Sequence, residues 1–314
     1  MQNEDSFSSY HPVVNILFFG LVLVFAMCLM HPACLLIAAL GAFSYNFYLN
    51  GRQTLRFGLL YMLPLLVMTA LLNPAFNHAG ATILTYLPSG NPLTLESILF
   101  GLAAAVMLVA VIWWFGCYSV VMTSDKFVYL FGRVIPALSL VLSLTLRFVP
   151  LFKAQLAQVR LAQRCVGRDV DNGSLWQRLR NAITILSIMI TWALENAIET
   201  ADSMKSRGYG LPGRTAFSIY RFTERDKNAL LWLLFCGLYL GSGAIAGGFY
   251  WRFYPTLKSA ALTPLTASFY LVYLALCLTP VALNIYASWK WRRQQEQVTA
   301  PAQENGGVGH AANL

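Results

Sequence analysis

The residues best suited to specific chemistry end a polar helical segment at 193–210, with the sequence ALENAIETADSMKSRGYG. Its acidic and apolar residues fall on separate helical faces, and the segment ends in Arg207 and Gly208. A guanidinium at a helix end presents a rigid fork of donors that suits carboxylates or backbone carbonyls in a groove. In an otherwise apolar chain, such a helix predicts a partner protein that binds it on the aqueous side of the membrane.

The rest of the chain has the composition of an integral membrane protein. Hydrophobic residues make up 57% and charged residues 11% of the 314 residues, whereas soluble domains carry roughly 25% charged residues. The mean hydropathy is +0.57. Six apolar runs are close to the ~20 residues that a helix needs to cross a bilayer. They are about 13–30, 33–49, 57–72, 97–122, 229–250 and 267–288. The predicted fold is therefore all-α and polytopic, with about six transmembrane helices.

Two prolines and the N-terminus refine this prediction. His31-Pro32 is expected to break the first apolar run into two helices, and Asn73-Pro74 to end the third. A loop without basic residues then leads to the fourth span. The N-terminus is polar and acidic, without the basic region of a cleavable signal peptide.

The distribution of Lys and Arg predicts which segments cross the membrane. The runs 134–151 and 183–194 are ambiguous, and the second is too short to span alone. A span at 134–151 alone, or spans at both runs, would place the basic cluster from Lys153 to Arg180 outside, against the positive-inside rule. We therefore expect both termini to be cytoplasmic. The predicted domains are a four-span membrane domain, a cytoplasmic or interfacial domain, a two-span segment and a disordered tail, at 1–122, 123–228, 229–298 and 299–314.

The insertion at 123–228 carries 15 Lys and Arg against 8 Asp and Glu. Positive charge of this kind anchors a segment to a membrane surface. The pattern also predicts two long helices that begin apolar and end polar, one at about 136–166 with a possible kink at Pro150. The other carries an apolar stripe with three- and four-residue spacing. The stripe comprises Leu179, Ile183, Leu186, Ile190, Ala197, Ala201 and Met204.

Both predicted helices end in a glycine with basic residues nearby, at Gly167 and Gly208. Glycine suits the end of a helix, and a cation suits the negative end of the helix dipole. These arginines therefore either cap their helices or form a paired docking surface. Two similar endings on consecutive helices favour the docking surface.

Several functional classes are disfavoured. The chain has no phosphate-binding loop of the G-x-x-x-x-G-K-[ST] type and no pattern typical of a nucleophilic triad. Five of the six cysteines fall in apolar runs, and the four histidines are scattered. A coupled carrier would normally bury an ionisable residue within the membrane, and such residues are nearly missing. We therefore expect no catalytic residues, no cofactor and no metal site.

The run LRFVPLFKAQLAQVRLAQRCVG, followed by ENAIETADSMKSRGYG, resembles the transmembrane T component of energy-coupling factor (ECF) transporters, the cobalt and vitamin uptake permease family. His31-Pro32, Asn73-Pro74 and TSDKFVYLFGRVIPAL at 123–138 support the resemblance, which covers about 31–215. It implies two short Ala-Arg-Gly-type motifs at the ends of two long cytoplasmic coupling helices. Each motif would dock into one of two ATP-binding-cassette ATPase subunits.

Carried onto this sequence, the second motif is Ser206-Arg207-Gly208, with serine in place of alanine. The first falls on Cys165-Val166-Gly167, where Val166 replaces the arginine. Either Arg164 or Arg168 is then the candidate for the missing guanidinium. The chain also carries two spans after the second motif, where the family usually has one.

The resemblance implies a scaffold rather than an enzyme. Two partner ATPases would hydrolyse ATP, and the chain would reorient a separate substrate-binding membrane S component for vitamin or metal-ion uptake. The expected partners also include the lipid bilayer but no nucleic acid, and the expected location is a prokaryotic plasma membrane. The alternative is a self-sufficient membrane enzyme or secondary transporter with a cytoplasmic regulatory domain.

Overall fold

The structure, a computed structural model, describes residues 5–86, 92–168, 170–171, 173–212, 220–261 and 263–306. It is 77% helical. The helices of this described part are α1 (Pro12–Cys28), α2 (Pro32–Asn50), α3 (Arg52–Phe76, with a π-helical turn at Gly58–Met62), α4 (Leu95–Val121), α5 (Ser124–Val134), α6 (Pro136–Cys165), α7 (Leu175–Ser206), α8 (Glu224–Ile245) and α9 (Pro264–Gly306). The predicted all-α fold is confirmed.

Each of the six predicted spans coincides with one of the helices α1 to α4, α8 and α9. Seven helices are long and apolar enough to cross a membrane within the described residues, and α1 is a shorter apolar helix. The seven include α6 from Ser139 and all of α7. Length and hydropathy therefore do not distinguish these two from spans, and their cytoplasmic placement stays a prediction from charge.

The chain forms two compact units. One comprises residues Met1–Thr123 and Tyr220–Leu314, and the other comprises Ser124–Ile219. The assignment of segments to membrane and cytoplasmic sides stays a prediction. Helix α9 continues to Gly306, past residue 299 where the sequence predicts a disordered tail, and residues 307–314 lie outside the described part.

Two His-Pro pairs begin the first two helices. The Nδ1 atoms of His11 and His31 accept hydrogen bonds from the backbone N–H groups of Val13 at 3.3 Å and Ala33 at 3.2 Å. In each pair the proline is the first helical residue, where its missing N–H would have no helical partner. The predicted break at His31-Pro32 is confirmed.

The core of the first unit is aromatic. Trp114 of α4 is fully buried, and its ring lies 5.8 Å from that of Phe18 and 6.4 Å from that of Tyr45. Helices α2 and α9 approach closely at Gly41, where a Cβ would lie 2.8 Å from the Cβ of Cys277. These contacts join the N-terminal helices to the last helix in one packed unit.

The predicted end of the third span at Asn73-Pro74 is wrong, because α3 continues through Pro74 to Phe76. Pro74 lacks the N–H that would bond to the carbonyl of Ala70, one turn earlier. A Cβ on Gly101 of α4 would lie 2.6 Å from that carbonyl oxygen, so glycine permits the close packing there. A proline in the last turn costs one hydrogen bond without ending the helix.

Two short β-hairpins form in connections between helices for which no strands were predicted from the sequence. Strand β1 (Ile83–Tyr86) pairs antiparallel with β2 (Pro92–Thr94), between α3 and α4. Strand β3 (Trp251–Arg252) pairs antiparallel with β4 (Lys258–Ser259), between α8 and α9. The first hairpin lies within the segment predicted as a loop without basic residues.

The second unit is built on α6 and α7. The rings of Phe152 and Trp192 meet edge to face at 5.3 Å. Further along, Val159 of α6 clusters with Ile185 and Met189 of α7. Since the contacts move toward the end of α6 and the start of α7, the two helices run in opposite directions past each other.

The apolar stripe predicted on α7 is not the face that packs against α6. Leu179, Ile183, Leu186 and Ile190 are 50%, 57%, 58% and 51% exposed. The packed face is rotated by about 100° from the stripe, which is one residue step along a helix. Helical periodicity identifies an apolar face but does not say which partner covers it. Helix α6 itself is continuous through Pro150.

Candidate docking site

The first predicted motif lies at the end of α6. Val166 is the C-cap, and Gly167 follows with φ of +74°, in the left-handed region that glycine adopts without strain. The N–H of Gly167 donates to the Arg164 carbonyl at 3.0 Å, and the N–H of Arg168 donates to the Gln163 carbonyl at 2.9 Å. This pair of bonds is a Schellman cap.

The second predicted motif ends α7 in the same way. Arg207 is the C-cap, and Gly208 follows with φ of +80°. The N–H of Gly208 donates to the Lys205 carbonyl at 2.9 Å, and the N–H of Tyr209 donates to the Met204 carbonyl at 3.0 Å. This is a second Schellman cap with the same hydrogen-bond pattern.

The two caps can therefore be compared position by position. The last helical residue, the C-cap and the left-handed glycine are Cys165, Val166 and Gly167 in the first cap and Ser206, Arg207 and Gly208 in the second. The backbone thus places the two tripeptides in equivalent positions. The largest difference in chemistry is at the C-cap, where valine stands in place of the guanidinium of the second cap.

Neither neighbouring arginine occupies the C-cap of α6. Arg164 stands at the position that Lys205 holds in the second cap, and Arg168 stands at that of Tyr209. A guanidinium at either place starts from a different point on the helix end. Arg164 and Arg168 therefore remain two separate candidates for the first contact, and neither stands at the position that Arg207 holds in the second cap.

The side chains at both C-caps face outward. Val166 is 67% exposed and Arg207 is exposed. Within the described part of the chain, no hydrogen bond or ion pair engages the guanidinium of Arg207. The backbone bonds already satisfy the last carbonyls of α7, so this side chain is available for a contact with another molecule.

The two caps lie at opposite ends of the helix pair, because α6 and α7 run in opposite directions. From Trp192 to Arg207, α7 advances about 22 Å at the ~1.5 Å rise per residue of a helix. From Val159 to Val166, α6 advances about 10 Å in the other direction. The pair therefore presents two separate helix ends rather than one combined surface.

Charged side chains of both signs are exposed toward the end of α7. Glu195, Glu199 and Asp202 are exposed on the last turns of α7, beside the basic end at Lys205 and Arg207. Among the described residues, no group of three or more His, Cys, Asp or Glu is placed to hold a metal ion.

Sequence reasoning missed an exposed apolar pair at the start of α7. Leu175 and Trp176 are 84% and 80% exposed. They directly follow a capping box, in which the N–H of Gln177 donates to Ser174 Oγ at 3.4 Å and the N–H of Ser174 donates to Gln177 Oε1 at 3.3 Å. The signal available in the sequence was a capping serine followed at once by leucine and tryptophan.

Comparison with known proteins identifies the family. A family model described as cobalt transport protein, CbiQ, matches residues 5–217. The chain belongs to the CbiQ family. The matched region contains both caps and all of α6 and α7, whereas α8 and α9 lie outside it. With its many apolar helices, this CbiQ-family chain is a multi-pass membrane protein.

Curated relatives named energy-coupling factor transporter transmembrane protein EcfT agree with this family. The relative from Bacillus selenitireducens is 34% identical over 112 residues, which are 35% of this chain and 42% of the relative. That from Lactobacillus helveticus is 34% identical over 113 residues, covering 35% and 41%. That from Exiguobacterium sibiricum is 35% identical over 104 residues, covering 33% and 40%. The chain thus spans about two fifths of these relatives' lengths.

Proposed function

We propose that the chain is the transmembrane scaffold of an ECF-type importer. In this role it transmits ATP hydrolysis by two partner ATPase subunits to a separate substrate-binding membrane subunit for vitamin or metal-ion uptake. The observation that carries the proposal is the pair of equivalent Schellman caps at Val166 and Arg207, both within the family-matched region. Two equivalent helix ends suit two copies of one kind of partner.

Arg207 is the strongest candidate contact. Its backbone is fixed by the cap, so only the side chain has to be ordered when the guanidinium enters a groove. The planar fork then donates to carboxylates or backbone carbonyls of the partner. Val166 at the equivalent position has no side-chain donor, so Arg164 or Arg168 would supply the guanidinium at the first ATPase contact.

The construction of α6 and α7 suits the transmission of motion. Each is a continuous helix, with Pro136–Cys165 and Leu175–Ser206 as bounds, and their shared core is a small cluster around Val159. Stiff helices held by a small contact can pivot as rigid bodies when their ends are pulled together or apart. Closure of an ATPase dimer at the two ends would supply that pull.

The exposed apolar stripe on α7 provides the second half of the coupling. Leu179, Ile183, Leu186 and Ile190 present an apolar surface that no residue of this unit covers among those described. A substrate-binding membrane subunit has apolar faces of its own, so it would be a suitable partner for this stripe. Movement of α7 would then tilt that subunit in the bilayer.

The proposed orientation follows from charge. Both termini and the basic insertion are cytoplasmic, so that the ATPases meet the two caps from the cytoplasm. In this arrangement, of the 22 Lys and Arg residues only Arg252 and Lys258 lie on the outer side, at the hairpin of β3 and β4. The chain itself hydrolyses nothing, and ATPase activity belongs to its partners.

Reconstitution tests this proposal. The purified chain, in proteoliposomes, should take up no vitamin or metal ion alone, and should support ATP-dependent uptake when the ATPases and the substrate-binding subunit are added. Uptake by the chain alone would show a self-sufficient carrier and contradict the scaffold role. A chain that binds neither ATPase while remaining helical and monodisperse would contradict the docking role.

A further inference from the structure

A groove of about 640 Å³ opens in the first unit between α1, α8 and α9. Ligand sites in proteins typically have volumes of roughly 300–1,000 Å³. Apolar side chains form most of the lining, including Val14, Leu233 and Leu278. Two of its three walls, α8 and α9, lie outside the family-matched region, so the groove belongs to the C-terminal extension.

The polar side chains of the groove are concentrated near the first turn of α8. The guanidinium of Arg225 lies 4.2 Å from the centre of the Tyr10 ring, and its Nη2 lies 3.2 Å from both the carbonyl and the Oγ of Ser9. These contacts fix Arg225 at the rim. The guanidinium has five donors, so others remain for a ligand.

The acidic neighbours of Arg225 already have partners. Asp226 is buried and accepts hydrogen bonds from the Thr223 side chain at 2.6 Å and from the His11 N–H at 3.0 Å. Glu224 pairs with Lys227 at 3.8 Å. Because the donors to Asp226 are neutral, Asp226 keeps its charge and interacts with the guanidinium of Arg225, so the excess positive charge at this end comes mainly from α9.

Helix α9 adds more cations at the same end. The face that lines the groove at Thr279 and Tyr286 continues, at steps of three and four residues, to Lys290 and Arg293. The guanidinium of Arg293 stacks over Trp289 at 3.7 Å. Both basic residues are exposed. The apolar groove thus has Arg225 on its lining, and Lys290 and Arg293 follow on the same face of α9, about one and two turns beyond Tyr286.

Aromatic side chains mark the level of the membrane interface here. Tyr286 and Trp289, which precede the cations of α9, are 62% and 49% exposed, and Trp232, beside Thr279 in the groove, is 40% exposed. Tryptophan and tyrosine concentrate where hydrocarbon gives way to headgroups, because their rings are apolar with a polar edge. The order is therefore an apolar groove, then aromatic rings, then positive charge.

We propose that this groove binds one anionic phospholipid. An acyl chain occupies the apolar part, and the phosphate is held by Arg225, Lys290 and Arg293. Charge complementarity selects the occupant, because a neutral apolar helix would bring no counter-charge to the cations of α9. The bound lipid would fasten the C-terminal extension to α1. The inference does not rest on the proposed transport role.

Native mass spectrometry of the full purified chain tests the proposal with phosphatidylglycerol and phosphatidylcholine as probes. We expect one phosphatidylglycerol to bind at least about ten-fold more tightly, since each cation near a lipid surface contributes roughly five-fold. The double variant Lys290→Gln/Arg293→Gln should weaken phosphatidylglycerol binding by about 25-fold on the same basis and leave phosphatidylcholine binding unchanged.

Two further variants separate the groove from general surface charge. Ala282→Trp fills the groove and should abolish the tight lipid at unchanged helicity. Arg252→Gln/Lys258→Gln removes the same charge from the hairpin at the other end of α8 and α9. This variant should leave phosphatidylglycerol binding unchanged. Equal binding of the two lipids, a tight lipid retained by Ala282→Trp, or cross-linking of a protein helix in the groove would each overturn the proposal.

Discussion

Replacing Arg207 with alanine separates a docking residue from a helix cap by the size of the effect. The cap of α7 consists of backbone bonds, from the Gly208 N–H to Lys205 and from the Tyr209 N–H to Met204. The guanidinium takes no part in them. As a cation near the end of the helix dipole, Arg207 would contribute only about 0.3–1 kcal/mol.

In a partner groove the same truncation leaves desolvated acceptors without a donor. That loss typically costs on the order of 2–5 kcal/mol. At about 1.4 kcal/mol per ten-fold, Arg207→Ala should raise the Kd for an ATPase subunit by about 30-fold to several thousand-fold. Arg207→Lys should recover only part of the affinity, because an ammonium lacks the planar fork.

The matched control is Lys205→Ala, which removes one exposed cation from the same last turn. Its Kd should stay within about five-fold of the unmodified chain, the factor that corresponds to 1 kcal/mol. Kd is measured with the purified chain in nanodiscs, and circular dichroism checks that the helices persist. Equal effects of Arg207→Ala and Lys205→Ala, both within five-fold, would refute the docking role.

Two other predictions follow from the insertion. Cys165 is exposed and should react with a membrane-impermeant thiol reagent in inside-out vesicles but not in intact cells. Cys28 is also exposed, so the measurement needs a Cys28→Ser background, and labelling of Cys165 in intact cells would contradict the cytoplasmic placement. At the first cap, Arg164→Ala/Arg168→Ala should weaken ATPase binding more than Val166→Ala if a neighbouring arginine replaces the missing one. The reverse order would assign the contact to the apolar side chain, and negligible effects of both would leave this end as a cap only.

Much of the membrane fold could be predicted from the sequence. Long apolar runs specify spanning helices almost regardless of tertiary context, because the bilayer demands internal backbone bonding. The two helix ends could also be predicted, since Gly167 and Gly208 are needed where φ is positive. Neighbouring residues in the sequence determine both the spanning helices and the helix ends, so neither prediction depends on contacts with distant residues.

Features that depend on distant residues could not be predicted. Asp5 is held inside the first unit, because it accepts hydrogen bonds from Tyr45 at 2.9 Å and from Asn284 at 2.6 Å. Phe7, two residues later, is only 1% exposed. Nothing in the sequence near Asp5 indicates these partners, which come from α2 and α9.

The apolar stripe on α7 illustrates the same limit and bears directly on function. Periodicity correctly found Leu179, Ile183 and Leu186 on one face but did not say what covers that face. The face that packs on α6 instead carries Ile185 and Met189. Because the helix has two apolar faces and uses one internally, the other remains for a partner. In the proposed scaffold role, this exposed face of α7 is the one that the substrate-binding membrane subunit would cover.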